Sequence, residues 1–296
     1  MKDVPWISEG RKGRIIGSAA GSLRGTTCAV LSVEPPRGGG FPDVHVEADG
    51  EKRTLRPWQV VDAGFKSSHR CSRIDEGVWF FEWQGYENNG NTAVLGRDRK
   101  AVIDAGHLHL LGSLLVALEE QGLSLDGMDA ALFTHSHPDH FDSAGLIHAA
   151  GVPIGLSHRE RDYLKGDGGA LYGFFGARVP EVKVDVDLEP GDVAVAGLDM
   201  TVLHAPGHSP GSVCLYWKEK KVLCAGDVVF PGGAFGRCDF PGGSYRTLLD
   251  TFGVFDGLDI EVLLSGHGPA VVGRKDVEES IGASRSNLRA VVFSPW

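Results

Sequence analysis

The segment Thr134-His135-Ser136-His137-Pro138-Asp139-His140 gathers three histidines and one aspartate within six residues. Neutral imidazoles together with a carboxylate suit a borderline divalent ion such as zinc. In extended chain, side chains two positions apart point the same way, so His135 and His137 can grip one ion. Pro138 bends the chain, and Asp139 and His140 beyond the bend can face a second ion. Such a loop can also be plain polar surface, but its compact spacing straight after an apolar run favours ligation. Three later residues carry the same chemistry: His208 in PGHSPG, Asp227 in AGDVVF and His267 in SGHGP. Each follows an apolar run and sits beside a Gly or Pro turn. Loops at strand ends are where a rigid scaffold holds its functional groups.

The elements that must position these residues can be read from hydrophobic patterning. DAALF runs into the histidine loop as a buried strand, and MTVLHA, KVLC and EVLL lead into the other three sites. VWFFEW, NTAVLG, KAVIDAG, VPIGLS, VKVDVDL, DVAVAG and SVCLYW add further strands. Helical spacing marks residues 108–121, stopping at Gly122, and residues 143–150, 245–252 and 275–290. Ser157 is a candidate cap for a helix starting at His158. Residues 166–176, with Tyr172, Phe174 and Phe175 among glycines, fit neither pattern and read as a loop, ordinary or lid-like. Strands in two halves with interspersed and flanking helices predict an α/β fold, with sheets packed face to face and helices outside.

Composition sets the limits. A chain of 296 residues with 42% hydrophobic and 23% charged residues is globular, with ample material for a core. Residues 1–73 hold 12 Lys/Arg against 8 Asp/Glu, whereas the remainder is acidic and brings the whole chain to −10. Strand-like runs at 26–33, 43–48 and 58–62, punctuated by PPRGGGFP and ADGEK, predict a small β-rich module over 1–72 ahead of a main domain over 73–296. None of the seven candidate ligands lies in the module, so it is expected to be dispensable for metal binding. The acidic body argues against nucleic acid or an anionic membrane as partner. A small-molecule substrate is expected, and assembly into a homo-oligomer is compatible with the sequence. No apolar run approaches a membrane span, and the N-terminus has no signal-like apolar stretch. The five cysteines are scattered without a CxxC pair and read as packing residues of a reducing compartment, hence a cytoplasmic location.

The motifs THSHPDH, PGHSPG, GDVVF and GHG, in this order among alternating strands, resemble the metallo-β-lactamase superfamily over roughly residues 76–290. The resemblance implies an αββα sandwich with its site at one edge of the two sheets. It implies two divalent metal ions per chain, zinc first, with iron or manganese as alternatives. His135, His137 and His208 would bind one ion and Asp139, His140 and His267 the other, with Asp227 bridging. Asp104 in VIDAG matches an Asp-x-Gly turn and would orient a ligand imidazole. GDVVFPGGAFGRCDFPGGS further resembles glyoxalase II-like hydrolases, with persulfide dioxygenases second, and makes Arg237 and Asp239 pocket or structural residues. The implied reaction is hydrolysis of a thioester or ester by a metal-bridging hydroxide, with Asp139 as the catalytic carboxylate that orients it and passes on a proton. A mononuclear-iron persulfide dioxygenase and a binding protein with a vestigial site are the competing readings. Arg274 and Lys275 are the candidate contacts should glutathione be bound.

The remaining histidines read as structural. His107 and His109 form a second HxH, but at the start of a helix residues i and i+2 point roughly 200° apart and chelate poorly. His107 is placed near the site by the turn at Asp104. His204 falls in a strand, and His45, His69, His148 and His158 have no evident partners.

Overall fold

The computed structural model describes residues 4–35 and 40–294. The middle of the expected PPRGGGFP turn, residues 36–39, lies outside them. The N-terminal module is an antiparallel five-stranded sheet of β1 (Lys12–Ile15), β2 (Thr27–Glu34), β3 (Asp43–Ala48), β4 (Glu51–Leu55) and β5 (Val60–Asp62), in the order β4-β3-β2-β1-β5. Strands β1 and β4 escaped the sequence reading. β4 is EKRTL, almost wholly exposed, so it carries no apolar alternation. What makes it a strand is the turn before it. Asp49 and Gly50 both have positive φ (53° and 79°), which is the backbone a two-residue hairpin needs.

Two larger sheets form the body. One contains β6 (His69–Asp75), β7 (Val78–Trp83), β8 (Thr92–Leu95), β9 (Ala101–Ile103), β10 (Ala130–Leu132), β11 (Ile154–Leu156) and β12 (Val186–Asp187), in sequential order across the sheet. The other contains β13 (Gly191–Val195), β14 (Leu198–His204), β15 (Val213–Trp217), β16 (Val222–Gly226), β17 (Val262–Ser265) and β18 (Val271–Val272). Alternation along the strands builds the layers. Phe80, Leu95 and Ile103 meet Val202, Leu215 and Leu264 between the sheets. Phe81, Val94 and Val102 turn outward into the core under α1 (Leu111–Glu120) and α3 (Ala144–Ala149). Cys214, Leu223 and Leu263 turn outward to Leu248 of α6 (Tyr245–Thr251) and to Val277 and Leu288 of α7 (Arg274–Phe293). This is the αββα sandwich.

The module has its own sheet but not its own core. Trp6, Ile15, Val30 and Val44 belong to the same buried cluster as Leu111, Leu114 and Leu118. A Cβ on Gly112 of α1 would lie 2.4 Å from Trp6 Cβ, so the indole occupies the space that the glycine leaves. Arg24 bridges to Glu119 at the end of α1 at 2.9 Å.

Residues 166–176 are not a loop: Asp167–Phe174 forms a helix, α5, after α4 (His158–Leu164). Glycine normally disfavours helix, but here packing requires it. A Cβ on Gly168 would strike the Tyr163 ring, and one on Gly169 would lie 2.4 Å from the Leu164 carbonyl. The buried Tyr172 anchors α5 by donating its hydroxyl to the Ser136 carbonyl at 2.9 Å.

All candidate ligands lie beyond strand ends at one rim of the sandwich. Parallel β9 and β10 deliver Asp104 and His135, and parallel β16 and β17 deliver Asp227 and His267. The loop after β14 brings His208 to the same rim.

Candidate metal centre

The seven residues converge. His208 Nε2 lies 3.2 Å from His135 Nε2 and 2.8 Å from His137 Nδ1. His267 Nε2 lies 3.4 Å from Asp139 Oδ2, and His140 Nε2 lies 3.9 Å from the same oxygen. Asp227 stands between the two groups. Its Oδ1 is 3.2 Å from His140 Nε2, and its Oδ2 is 3.3 Å from His267 Nε2 and 3.6 Å from His208 Nε2. Pro138 opens the short helix α2 (Pro138–Phe141) with His137 as its N-cap, which turns Asp139 and His140 away from the direction of His135 and His137.

Hydrogen bonds on the far side of three rings, those of His140, His208 and His135, fix which nitrogen faces inward. Asp104, at φ 53°, accepts from the Thr134 amide and hydroxyl, both at 2.8 Å, and lies 2.9 Å from His140 Nδ1. That contact leaves the lone pair of His140 Nε2 for the centre. The Arg237 carbonyl does the same for His208, at 2.6 Å from Nδ1. Thr134 Oγ1 lies 3.1 Å from His135 Nδ1.

Charge divides the site. Burial, reinforced by the neighbouring histidines, holds His135 well below the ordinary imidazole value and brings His137 down to about 3. For His140 burial also opposes protonation, but Asp227, Asp104 and Asp139 outweigh it and hold the ring well above that value. His267 is raised to about 10 against its burial, chiefly by Asp227 and Asp139. The same pairs overcome burial to keep Asp227 and Asp139 well below the usual carboxylate range. His137 and His135 thus present neutral donors, while the carboxylate side draws in positive charge. His140 Nε2 and Asp227 Oδ1 are buried 3.2 Å apart without an aligned hydrogen bond to each other or to any other group, an arrangement that a shared cation would complete. The residues present fit divalent ions.

Several supporting residues were invisible in the sequence. Glu160 is fully buried and accepts from the Ser136 amide (2.8 Å) and hydroxyl (2.6 Å), the Ser209 hydroxyl (2.6 Å) and the Gly211 amide (2.7 Å). It therefore pins the His135–His137 loop to the His208 loop. Asn88 Nδ2 donates to Asp139 Oδ2 at 2.6 Å. Asn91 Nδ2 donates to the carbonyls of Ser265 and Gly268 on either side of His267. Ser157 caps α4 as expected, accepting from the Glu160 amide. The histidines expected to lack partners have them: His69 meets Ser113, His148 Asp185, His158 Glu189 and His45 Thr54. Arg274 and Lys275 pair with Asp259 and Glu279, away from the centre.

A cavity of about 510 Å³ opens over the centre. Its floor is His137, Asp139, His208, Asp227 and His267, and its walls are Leu171, Phe175, Phe230, Phe235 and Phe240. Arg237 contributes the cation at the rim, lying 4.2 Å over the Phe240 ring and bonded to Asp239 at 2.6 Å. All five cysteines are free, and four are buried.

Comparison with known proteins agrees with this arrangement. The family described as the metallo-beta-lactamase superfamily matches residues 85–267, and the chain belongs to it. Hydroxyacylglutathione hydrolase GloC of Haemophilus influenzae is 32% identical over 60% of this chain and 85% of its own length. Acyl-coenzyme A thioesterase MBLAC2 of Gallus gallus is 35% identical over 54% of this chain and 65% of its own length. Across such curated relatives, the match takes in between 53% and 85% of the relative's length. Among solved structures, TTHA1623 in a di-iron-bound form is 30% identical with a TM-score of 0.52, covering 62% of this chain and 89% of that one. The metallo-β-lactamase fold implies divalent metal binding. Among the described residues no helix is long and apolar enough to cross a membrane.

Proposed function

We propose that the chain is a dinuclear metallohydrolase that cleaves acyl thioesters with apolar acyl groups. The observation that carries this reading is the convergence of seven donors, as two groups joined by Asp227, on the floor of a largely apolar cavity. His135, His137 and His208 would hold one ion, and Asp139, His140 and His267 the other, with Asp227 standing between the two groups. Imidazole and carboxylate donors without thiolate suit zinc, with iron or manganese as alternatives. When bound, such ions supply Lewis acidity and lower the pKa of a coordinated water toward about 7.

The chain's own groups do the rest. The Phe175, Phe230 and Phe240 rings receive the acyl chain and keep bulk water from the floor. Arg237 meets an anionic part of the thiol group at the rim, oriented by Asp239 and Phe240. Asp139, held at Oδ2 by Asn88, would take a proton from the attacking water and deliver it to the departing sulfur. Two relatives bear names that denote thioester hydrolysis, one of a hydroxyacylglutathione and one of acyl-coenzyme A. The apolar walls, and the engagement of Arg274 and Lys275 elsewhere, favour the second class of substrate.

The test is thiol release from acyl-coenzyme A esters of increasing chain length and from a hydroxyacylglutathione, using zinc-loaded protein. A kcat/KM that rises with acyl length is expected. Preference for the hydroxyacylglutathione would overturn the substrate assignment. Oxygen uptake by the Fe²⁺-loaded protein with a persulfide, and no thiol release from any ester in either metal form, would overturn hydrolysis itself.

A further inference from the structure

A second cluster of donors lies outside the centre and its cavity. His107, His109 and Asp142 place one donor atom each within 4.8 Å of one another. The sequence alone suggested that the two imidazoles diverge on a helix. They do not, because His107 is extended (φ −67°, ψ 142°) and caps a tight 3-10 turn, Leu108–Leu110, that precedes α1. Their ring centroids are 5.2 Å apart. His107 Nδ1 is buried, has no hydrogen-bond partner and lies 3.7 Å from Asp142 Oδ2. A buried imidazole nitrogen left without a partner calls for one.

The outer contacts are those of ligands rather than of a chance grouping. Glu87 lies 2.9 Å from His109 Nε2, so it accepts the hydrogen bond of that N–H and leaves Nδ1 with its lone pair. Asp142 Oδ2 is held by the Leu108 amide at 2.9 Å. Tetrahedral bonds of about 2.0–2.1 Å place donors roughly 3.3–3.4 Å apart. The buried pair is already near that spacing, and His109, half exposed on a short turn, can close the remainder by a side-chain rotation.

We propose that His107, His109 and Asp142 form an additional mononuclear site for a divalent cation of the zinc type, with water in the open position. Its place in the fold gives it a role. Glu87 adjoins Asn88, which holds Asp139, and Asn89 Oδ1 accepts from the His107 amide at 2.8 Å. An ion here ties the 84–91 loop to the start of α1 and so steadies the contact on Asp139 from behind.

The experiment is titration of metal-free full-length protein with Zn²⁺ against a chromophoric chelator. It compares wild type with His109→Gln, Glu87→Gln and Asp227→Asn. His109 is half exposed, so its replacement leaves the fold intact. The proposal predicts that His109→Gln binds one Zn²⁺ fewer than wild type, or binds it at least tenfold more weakly. Glu87→Gln weakens the same ion by about 10–100-fold. Asp227→Asn retains it. A His109→Gln protein that binds as many ions as wild type, equally tightly, would overturn the site. Because the readout is a difference between variants, it stands apart from the number of ions at the main centre. If Asp227→Asn alone loses metal, the main centre stands and the additional site falls.

Discussion

At the scale of single residues, the centre is an electrostatic device with two unlike halves. His135 and His137 are kept neutral by burial, so an ion can enter beside them without displacing a proton. His140 and His267 are both pushed toward the protonated form, because Asp227 and Asp139 beside them demand compensating charge. A metal takes a neutral imidazole, so ion entry on this side must expel those protons. The sign follows directly. His267, with its value near 10, carries its proton at pH 7.5 and gives it up on binding, so affinity rises with pH, by up to tenfold per unit for each proton released. Calorimetry of Zn²⁺ binding in buffers of different ionisation enthalpy reads this directly: proton release at pH 7.5 and tightening from pH 6.5 to 8.5 are expected. A proton-neutral, pH-independent reaction would contradict the charge assignment. The seven candidate ligands could be picked out in the sequence because histidine and aspartate announce their chemistry by type and spacing. Glu160, Asn88 and Asn91 were not, because their role lies in which distant backbone and side-chain groups they reach. Ser157 was legible as a helix cap, but nothing local announced that the Glu160 carboxylate serves the two histidine loops.

At the scale of elements, strand ends and tight turns convert sequence order into convergence. The strands that lead to the candidate ligands were legible because the apolar runs of β10, β16 and β17 are buried on both faces and those of β14 alternate. Those without such runs, among them β1, the charged β4 and the half-exposed β6, were not. Helix α5 was missed for the opposite reason: its glycines suit close packing on Tyr163 and Leu164 rather than flexibility. Glycine is also required beside the centre. A Cβ on Gly266 would fall 2.0 Å from Asp227 Oδ1 and 2.7 Å from His140 Cε1. Gly266→Ala is therefore expected to push Asp227 out of position and to lower both metal content and hydrolysis at least tenfold. Metal analysis of the purified variant, alongside its circular dichroism, provides the check. A folded variant with wild-type metal content would show that Asp227 has more room than the packing allows.

At the scale of the molecule, the division into a small β-rich segment and a larger domain describes the sheets but not the core. The segment's apolar side chains are continuous with those beneath α1, a link that no local pattern could reveal because it joins residues far apart in the chain, such as Trp6 and Gly112. Trp6 is fully buried, donates its indole N–H to the Pro57 carbonyl at 3.1 Å and packs on Gly112. Trp6→Ala should cost about 3–5 kcal/mol of stability. The denaturation midpoint should fall while metal content at low denaturant stays the same. A change below about 1 kcal/mol would mean that the N-terminal sheet is an independent attachment, not a wall of the shared core.

The central claim is that Asp227 joins two ions, and the most direct measurement is anomalous X-ray scattering from crystals of the zinc-loaded protein. The structure predicts two strong peaks flanking the Asp227 carboxylate, roughly 3.5–4 Å apart. One should be bounded by His135, His137 and His208, and the other by Asp139, His140 and His267. A single peak at full zinc occupancy, or two peaks of which only one contacts Asp227, would contradict the account.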